Sequence, residues 1–396
     1  MNDKKITDTI ESCNLNFLLG SGLSLPYLKT LGTIEALLTE LEERDDIEPD
    51  TKKLIRVSLY KKYFDGVIAG NIHILDSSNG CETVLDNYLS FLKIINSILL
   101  KRKITILSKE VNLFTTNVDV FLEKALEVLS LEYNDGFNGR FKPRFSLSNF
   151  KKSRFKKSLH YDNTAELPVF NLLKLHGSLS WEVAQDDVVF SSDLKHIKKL
   201  TSLTIAPDHI LDCQDDATID SLIAAAADKT CDGTTDAFLE AYEKLLIIVN
   251  PTKEKFKHTL MNQTYYELLR LYSNELEKEN TVLFVMGFSF ADEHIREITL
   301  RAANSNPTLI IYVIAHSSKA KSEIEARFGQ NTIKNNNIEV VSPEQQESAD
   351  GAPSTDKFKY DLSTINEKIL KRVLETVDHE ELPAVQVPEE EVSENL

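Results

Sequence analysis

Leu113-Phe114-Thr115-Thr116-Asn117-Val118-Asp119 decides how the rest of the chain is read. An apolar strand runs into polar residues and then directly into a helix predicted over 120–129. In a parallel sheet that junction is the carboxyl end of a strand, where open α/β folds hold their ligands. An Asn and an Asp two residues apart have no core to support there and point toward something bound. Two other strands end the same way. Asn16-Phe17-Leu18-Leu19 runs into Gly20-Ser21-Gly22-Leu23-Ser24, and Leu172-Leu173-Lys174-Leu175 runs into His176-Gly177-Ser178. Three polar strand ends on one sheet can converge on one ligand.

Outward from these junctions the chain alternates strands and helices. Residues 1–13 read as a short helix ahead of the first strand. From 33 to 109 the apolar spacing becomes helical, as in Ile34, Leu37, Leu38 and Leu41, and again in Tyr88, Phe91, Leu92, Ile95 and Leu99; this predicts a helical subdomain inserted after the first βα turn. Residues 206–243 are acidic and Ala-rich and read as an inserted helical hairpin. A strand is expected at 245–249 and a long helix at 264–278. A strand over 282–286, a helix over 292–303 and a strand over 309–315 follow, with an edge strand at 337–341. Such β-branched runs alternating with helices predict an α/β fold with a Rossmann-like parallel sheet. The division expected is 1–32 and 110–345 for the sheet domain, 33–109 for the inserted helices and 346–377 for a linker with a helix at 362–377. Residues 378–396, acidic with two prolines, are expected to be disordered.

The bulk properties exclude several classes. With 396 residues, 42% hydrophobic and 27% charged, the chain can bury a full core. Its apolar runs fall short of the roughly 20 residues of a membrane helix, and residues 1–5 lead into no apolar signal core; a cytoplasmic protein without membrane contact is expected. Cys13, Cys81, Cys213 and Cys231 are scattered, with no CxxC pair and so no zinc ribbon; no metal is expected. The formal charge of −17 argues against a chain coated in nucleic acid. DNA contact would be indirect or local, and one local candidate exists. Residues 140–157 hold eight Lys or Arg and no acid, with Phe141, Phe145, Phe150 and Phe155 interleaved. This segment is either a solvated loop with aromatic anchors or a place for phosphates or nucleic acid. There is no GxxxxGKS loop, HExxH or GxSxG motif. His258, in a Lys-rich stretch, and His316, after a strand, are read as structural.

A fourth element, Gly287-Phe288-Ser289-Phe290-Ala291-Asp292-Glu293-His294-Ile295, joins the three strand ends. GSGLS, TTNVD, LHGS and GFSFADEHI, in that order, resemble the sirtuin-like NAD-consuming proteins. The fourth element is similar to the bacterial defence branch, whose members hydrolyse NAD during phage infection. The length and the run Asn250-Pro251-Thr252-Lys253 resemble the subunit that assembles with a HerA-type hexameric ATPase. The resemblance covers about residues 14–316, in islands. It implies a sheet of sirtuin type, NAD as substrate, a homo-oligomer docked on the ATPase, and low basal activity released by assembly.

Each element then has a chemical reading beside a structural one. The Gly20 and Gly22 turn, with Ser21 and Ser24, would let backbone approach a pyrophosphate, or is simply a tight strand-to-helix turn; the third glycine of the dinucleotide fingerprint is missing. Cleaving the ribose–nicotinamide bond passes through an oxocarbenium-like state. Asn117 can orient the attacking water without carrying charge. Asp119, beside Thr116, can accept from the nicotinamide amide or a ribose hydroxyl, or cap the following helix. His176 can act as base, with Gly177 leaving room beside it and Ser178 orienting it. In the fourth element, Gly287 allows close approach, Phe288 and Ser289 face the nucleotide, and Asp292 either accepts a ribose hydroxyl or caps a helix; Glu293, His294 and Arg296 serve packing or subunit contacts. Asn117 and His176 are the candidate catalytic residues. Two other functions stay open: a deacylase or ADP-ribosyltransferase on the same fold, and a non-catalytic NAD or ADP-ribose sensor regulating the ATPase.

Overall fold

The computed structural model describes residues 3–102, 106–185, 187–249, 259–329, 333–343 and 359–379. In chain order the first strands are β1 (Asn14–Leu19), β2 (Glu110–Thr115), β3 (Tyr133–Asn134), β4 (Phe137–Asn138), β5 (Arg144–Phe145), β6 (Arg154–Lys157) and β7 (Thr164–Leu167). They are followed by β8 (Val169–Lys174), β9 (Trp181–Ala184), β10 (Asp187–Phe190), β11 (Thr281–Met286), β12 (Leu309–Ile314) and β13 (Ile338–Val341).

Seven strands form a sheet in the order β13-β12-β11-β1-β2-β8-β3, with every pairing parallel. The first strand sits in the middle. The chain lays β2 and then the edge strand β3 on one side, fills β8 between them, and crosses back to build β11, β12 and β13 on the other. The order therefore reverses between β1 and β11, the switch point at which open α/β sheets leave a crevice. The sheet is Rossmann-like, as the alternating pattern predicts.

Both faces are covered, and the period of two sorts the side chains. Phe17, Leu113, Phe284 and Tyr312 enter one core. Leu18, Phe114, Leu283, Val285, Ile311 and Val313 enter the other. The helices Ile34–Glu43, Pro49–Tyr63, Asn71–Asp76 and Glu82–Lys101 follow β1. They share the first core with the sheet, with the helices Ile219–Ala226 and Gly233–Leu245, and with the segment that starts at Leu362. The second face is covered by the helices Thr259–Leu276 and Glu293–Ser305.

An amide ladder crosses the second face. Asn16, Asn112 and Asn171 are aligned on adjacent strands, and Asn134 extends the row on β3. Asn112 Nδ2 donates to Asn16 Oδ1 at 2.8 Å, Asn171 Nδ2 to Asn112 Oδ1 at 3.0 Å and Asn134 Nδ2 to Asn171 Oδ1 at 3.0 Å. A slip of one residue would turn every amide to the opposite face and leave buried polar groups unpaired. The ladder thus fixes the register that levels the strand ends.

Two expectations need correction. No strand forms at 245–249. Leu245 ends the helix Gly233–Leu245, and the next residues cross the end of β8 with a single bridge, Ile248 to Gly177. Leu246, Ile247 and Ile248 are buried by lying over the strand ends, so the apolar run reflects burial rather than sheet pairing. Residues 140–157 are also more than a solvated loop. They contribute to a small antiparallel sheet, β4-β5-β10-β9, and to a separate hairpin, β6–β7. Asn250-Pro251-Thr252-Lys253, His258 and the tail from 380 onward lie outside the described residues.

Candidate functional site

Register places the site. Lys174, Thr115, Leu19, Met286 and Ile314 are aligned neighbours at the ends of β8, β2, β1, β11 and β12. The residues that follow each emerge on one line along the same edge. A cavity of about 550 Å³ opens there, within the size range of small-molecule sites. Five strands at about 4.8 Å spacing give it a reach of roughly 19 Å. Ser21, Gly22, Ser24, Thr116, Asn117, Asp119, His176, Gly287, Phe288, Ser289 and Asp292 all line it. Gly20 sits just behind them.

The glycines pack against each other. A Cβ on Gly20 would stand 2.3 Å from Gly287 O, and one on Gly22 would stand 3.0 Å from the same oxygen. Gly287, at φ +64°, has Leu23 Cγ where its Cβ would be, at 2.6 Å. Gly20 N–H donates to Met286 O at 2.9 Å and Gly22 N–H to Gly287 O at 3.1 Å. The two donors are spent on the neighbouring turn, and the missing side chains let the two loops interlock at the switch point. Ser21 and Ser24 remain on the cavity wall.

Ser24 is the hub of a buried network. Its Oγ donates to Asp119 Oδ2 at 2.7 Å, lies 3.0 Å from Tyr88 Oη and is 3.5 Å from Asn117 Nδ2. Asn117 Nδ2 donates to Gly20 O at 3.1 Å. A carbonyl can only accept, so the amide nitrogen faces Gly20 and Oδ1 turns the other way. That Oδ1 is buried and has no hydrogen-bond partner among the described residues, although buried polar atoms are nearly always satisfied. Asp119 does cap the following helix, since its Oδ1 accepts from Phe121 N at 3.2 Å. Burial, and then the charge of Asp119, push the Tyr88 hydroxyl well above its ordinary value. Tyr88 therefore stays neutral beside the carboxylate.

His176 lies next to Asp292. Its Nε2 is 3.1 Å from Asp292 Oδ2, an ion-pair distance once the imidazole is protonated. Asp292 is also the N-cap of the helix Glu293–Ser305, its Oδ1 accepting from Ile295 N at 3.0 Å. It thus caps a helix and faces the imidazole at once. The expectation that Ser178 orients His176 is corrected: Ser178 Oγ donates to Glu123 Oε1 at 2.9 Å and lies 3.0 Å from Ser180 Oγ. Gly177, at φ +78°, makes room for Ile247 O, which a Cβ would meet at 2.3 Å. The backbone at 247–249 is laid across the site in this way, and Val249 N–H donates to His176 O at 2.9 Å.

Several residues escape a sequence reading. Lys174 is buried within β8, paired with Glu123 at 3.3 Å and bonded to Asp119 O. It holds the turn after β2 from below, and its one visible signal is a lysine inside an apolar strand. His316, read as structural, also lines the cavity, after the end of β12, together with Glu323, Arg327 and Tyr360. Arg327 Nη1 donates to Ser289 O at 2.6 Å, which ties the helix Ser318–Phe328 to the turn after β11. The helices after β1 supply a side wall through Glu35, Tyr63 and Val67. Among the described residues no group of three or more His, Cys, Asp or Glu could hold a metal ion, and no helix is long and apolar enough to cross a membrane.

The fold and the cavity at its switch point define a doubly wound, Rossmann-like α/β protein. The model of the SIR2-like domain matches residues 238–341, about a quarter of the 396 residues. That stretch carries β11, β12, β13 and the Gly287–Asp292 turn, and it is sirtuin-like; SIR2-like domains use NAD. The turns bearing Gly20, Asn117 and His176 precede it in sequence and meet it in space. No curated protein matches the chain.

Proposed function

We propose that the chain hydrolyses NAD, taking NAD and water to ADP-ribose, nicotinamide and a proton. The observation that carries this reading is the buried, unpartnered Oδ1 of Asn117 in the same cavity as His176, at one end of a site long enough for a dinucleotide. An acceptor held rigidly by Gly20 O can fix a water at the anomeric carbon. It adds no negative charge beside the developing cation. His176 accepts the proton from that water or from a ribose hydroxyl, as an imidazole does near neutral pH. Asp292 steadies the imidazole. The bond to nicotinamide breaks as the C–O bond to water forms, and the leaving group departs neutral. The remaining nucleotide extends past the Gly22–Gly287 contact toward His316 and Arg327.

The four motifs and their resemblance to the defence branch support a wider role. In it, the chain depletes NAD during phage infection, forms a homo-oligomer and is restrained or released by a HerA-type ATPase. Sirtuin-like enzymes with a peptide substrate need a groove for it, and the zinc ribbon many of them carry has no counterpart in the four scattered cysteines.

The test is incubation of the purified chain with NAD in ¹⁸O-labelled water, alone and with the ATPase. Chromatography and mass spectrometry should find free nicotinamide and ADP-ribose carrying one labelled oxygen. Protein-bound ADP-ribose would replace hydrolysis with transfer. Binding of NAD without turnover under either condition would leave a regulatory sensor.

A further inference from the structure

The segment 137–167 stands outside the main sheet and serves no part of the cavity. Its aromatic residues divide into two sets. Phe145 packs on Trp181 at 4.9 Å between ring centroids, on Phe137 at 5.5 Å and on Phe150 at 6.2 Å. These rings anchor the small sheet. Phe141, Phe155 and Tyr161 are displayed instead, with exposures of 100%, 64% and 74%. Residues 151–165 are exposed throughout, so the β6–β7 hairpin has no core under either face. A two-stranded hairpin gains little from such an arrangement in water. Its apolar side chains are buried only by a partner.

Charge indicates what that partner is. Residues 140–157 carry eight Lys or Arg and no acid, which leaves 37 of the 45 Lys and Arg to face all 62 Asp and Glu elsewhere. Four of these cations are tethered, Arg144 to Asp187 at 2.9 Å, Lys151 to Glu275 at 3.4 Å, Arg154 to Glu132 at 3.7 Å and Lys157 to Asp162 at 2.9 Å. Apart from Glu275, which is buried, the partners are exposed on both sides, and such surface pairs hold their cations only weakly against a polyanion. A local basic stripe with interleaved, exposed rings on an acidic protein fits a polyanion that also offers flat apolar faces.

We propose that the β6–β7 hairpin and the adjoining 140–153 turn bind single-stranded nucleic acid, the rings of Phe141, Phe155 and Tyr161 stacking on bases and the Lys and Arg meeting phosphates. Stacking on aromatic side chains needs bases whose faces are open, which favours single strands over duplex. It reads neither sequence nor the 2′-hydroxyl, so DNA and RNA bind alike.

Fluorescence anisotropy of the full chain with labelled dT20 and rU20, and with a 20-base-pair duplex, tests this. Both single strands should bind, and the duplex more weakly. If four phosphates are met, raising salt from about 50 to 200 mM should weaken dT20 binding about 50-fold. Phe155→Ala with Tyr161→Ala should weaken it about 10- to 100-fold without altering the salt slope. Lys142→Glu with Lys156→Glu should flatten the slope. Both double variants change exposed side chains, and an unchanged melting curve confirms that each is folded. Absence of dT20 binding at low salt, affinity unchanged in both variants, or tighter binding of the duplex would overturn the proposal. So would variants that change the mass of the chain in light scattering while leaving dT20 binding intact, since the face would then join two copies of the chain. None of these readouts involves NAD turnover, so the result stands apart from the proposed hydrolysis.

Discussion

The interlock of Gly20 with Gly287 gives the sharpest test of how the fold supports the site. Gly20 has φ −109° and ψ 171°, extended backbone that alanine adopts without strain, so Gly20→Ala isolates the steric effect. The new methyl group would lie 2.3 Å from Gly287 O and 2.7 Å from both Gly287 C and Phe288 Cα. All three are backbone atoms, and no rotamer change relieves them. The ends of β1 and β11 would have to part by about an ångström, where Gly20 N–H and Gly22 N–H bridge the two turns. Overpacking costs about 1–3 kcal/mol, and loosening two hydrogen bonds adds roughly 1 kcal/mol. A total of about 2–4 kcal/mol results. At about 2.1 cal/mol/K per residue the whole chain unfolds with roughly 0.8 kcal/mol/K, so the melting temperature should fall by about 2–5 °C. Activity should fall further. Gly20 O anchors the Asn117 amide, and a misplacement of that size costs about 100-fold in rate. Differential scanning fluorimetry and a nicotinamide-release assay read the two effects. Gly233→Ala is the control, because among the described residues nothing lies within 4 Å of its Cβ. A Gly20→Ala variant that melts within about 1 °C of wild type and turns over NAD at full rate would refute the reasoning.

Three further outcomes are expected. His176→Ala should lower NAD turnover about 10²- to 10⁴-fold while isothermal titration still detects nucleotide binding; lost binding with unchanged turnover per bound NAD would make it a binding residue only. Asn117→Ala should abolish turnover for a stability loss of only about 1 kcal/mol, the value of the single well-formed hydrogen bond to Gly20 O; a folded variant as fast as wild type would remove the water-orienting role. Asp135 is held up to about 6 by burial, above the ordinary carboxylate value of about 3.9. A raised folded value means the contribution to stability is complete below about pH 4 and lost as pH rises through about 6. Asp135→Asn keeps an acceptor for Phe137 N–H, so at pH 7.5 it should stabilise the chain by about 3 kcal/mol and flatten the melting temperature between pH 4 and 6; a variant less stable than wild type at pH 7.5 would contradict this.

The parallel sheet was legible because period and composition report burial directly. Runs such as Val282-Leu283-Phe284-Val285-Met286 are buried on both faces and cannot be amphipathic. The polar strand ends were legible because a polar residue after such a run has no packing reason to be there. Burial without pairing was not legible: Leu246-Ile247-Ile248 has the composition of a strand and is buried over strand ends instead. Nor were the close contacts between distant residues. Gly20 and Gly287 are far apart in sequence, and neither shows that the other fills its vacant Cβ position. The pairing of His176 with Asp292 was hidden for the same reason. Asp292 reads as a helix cap, which it is, and only the sheet order brings its second oxygen to the imidazole.

The way the site is held follows from that order. Its polar groups are fixed by partners on neighbouring strands rather than on their own. Asn117, after β2, is fixed by Gly20 after β1. Gly20 and Gly22 are fixed by the turn after β11. That turn is fixed in turn by Arg327 beyond β12, and Asp119 by Lys174 of β8. Each link joins adjacent strand ends, so the chain of contacts runs along the whole cavity at right angles to the backbone. A ligand spanning the cavity would touch several links at once. Its binding would stiffen strand ends that packing of the sheet interior alone leaves free to shift. The amide ladder of Asn16, Asn112, Asn171 and Asn134 complements this arrangement from inside the sheet. It forbids the register slip that would carry one strand end, and one polar group, out of line with the rest.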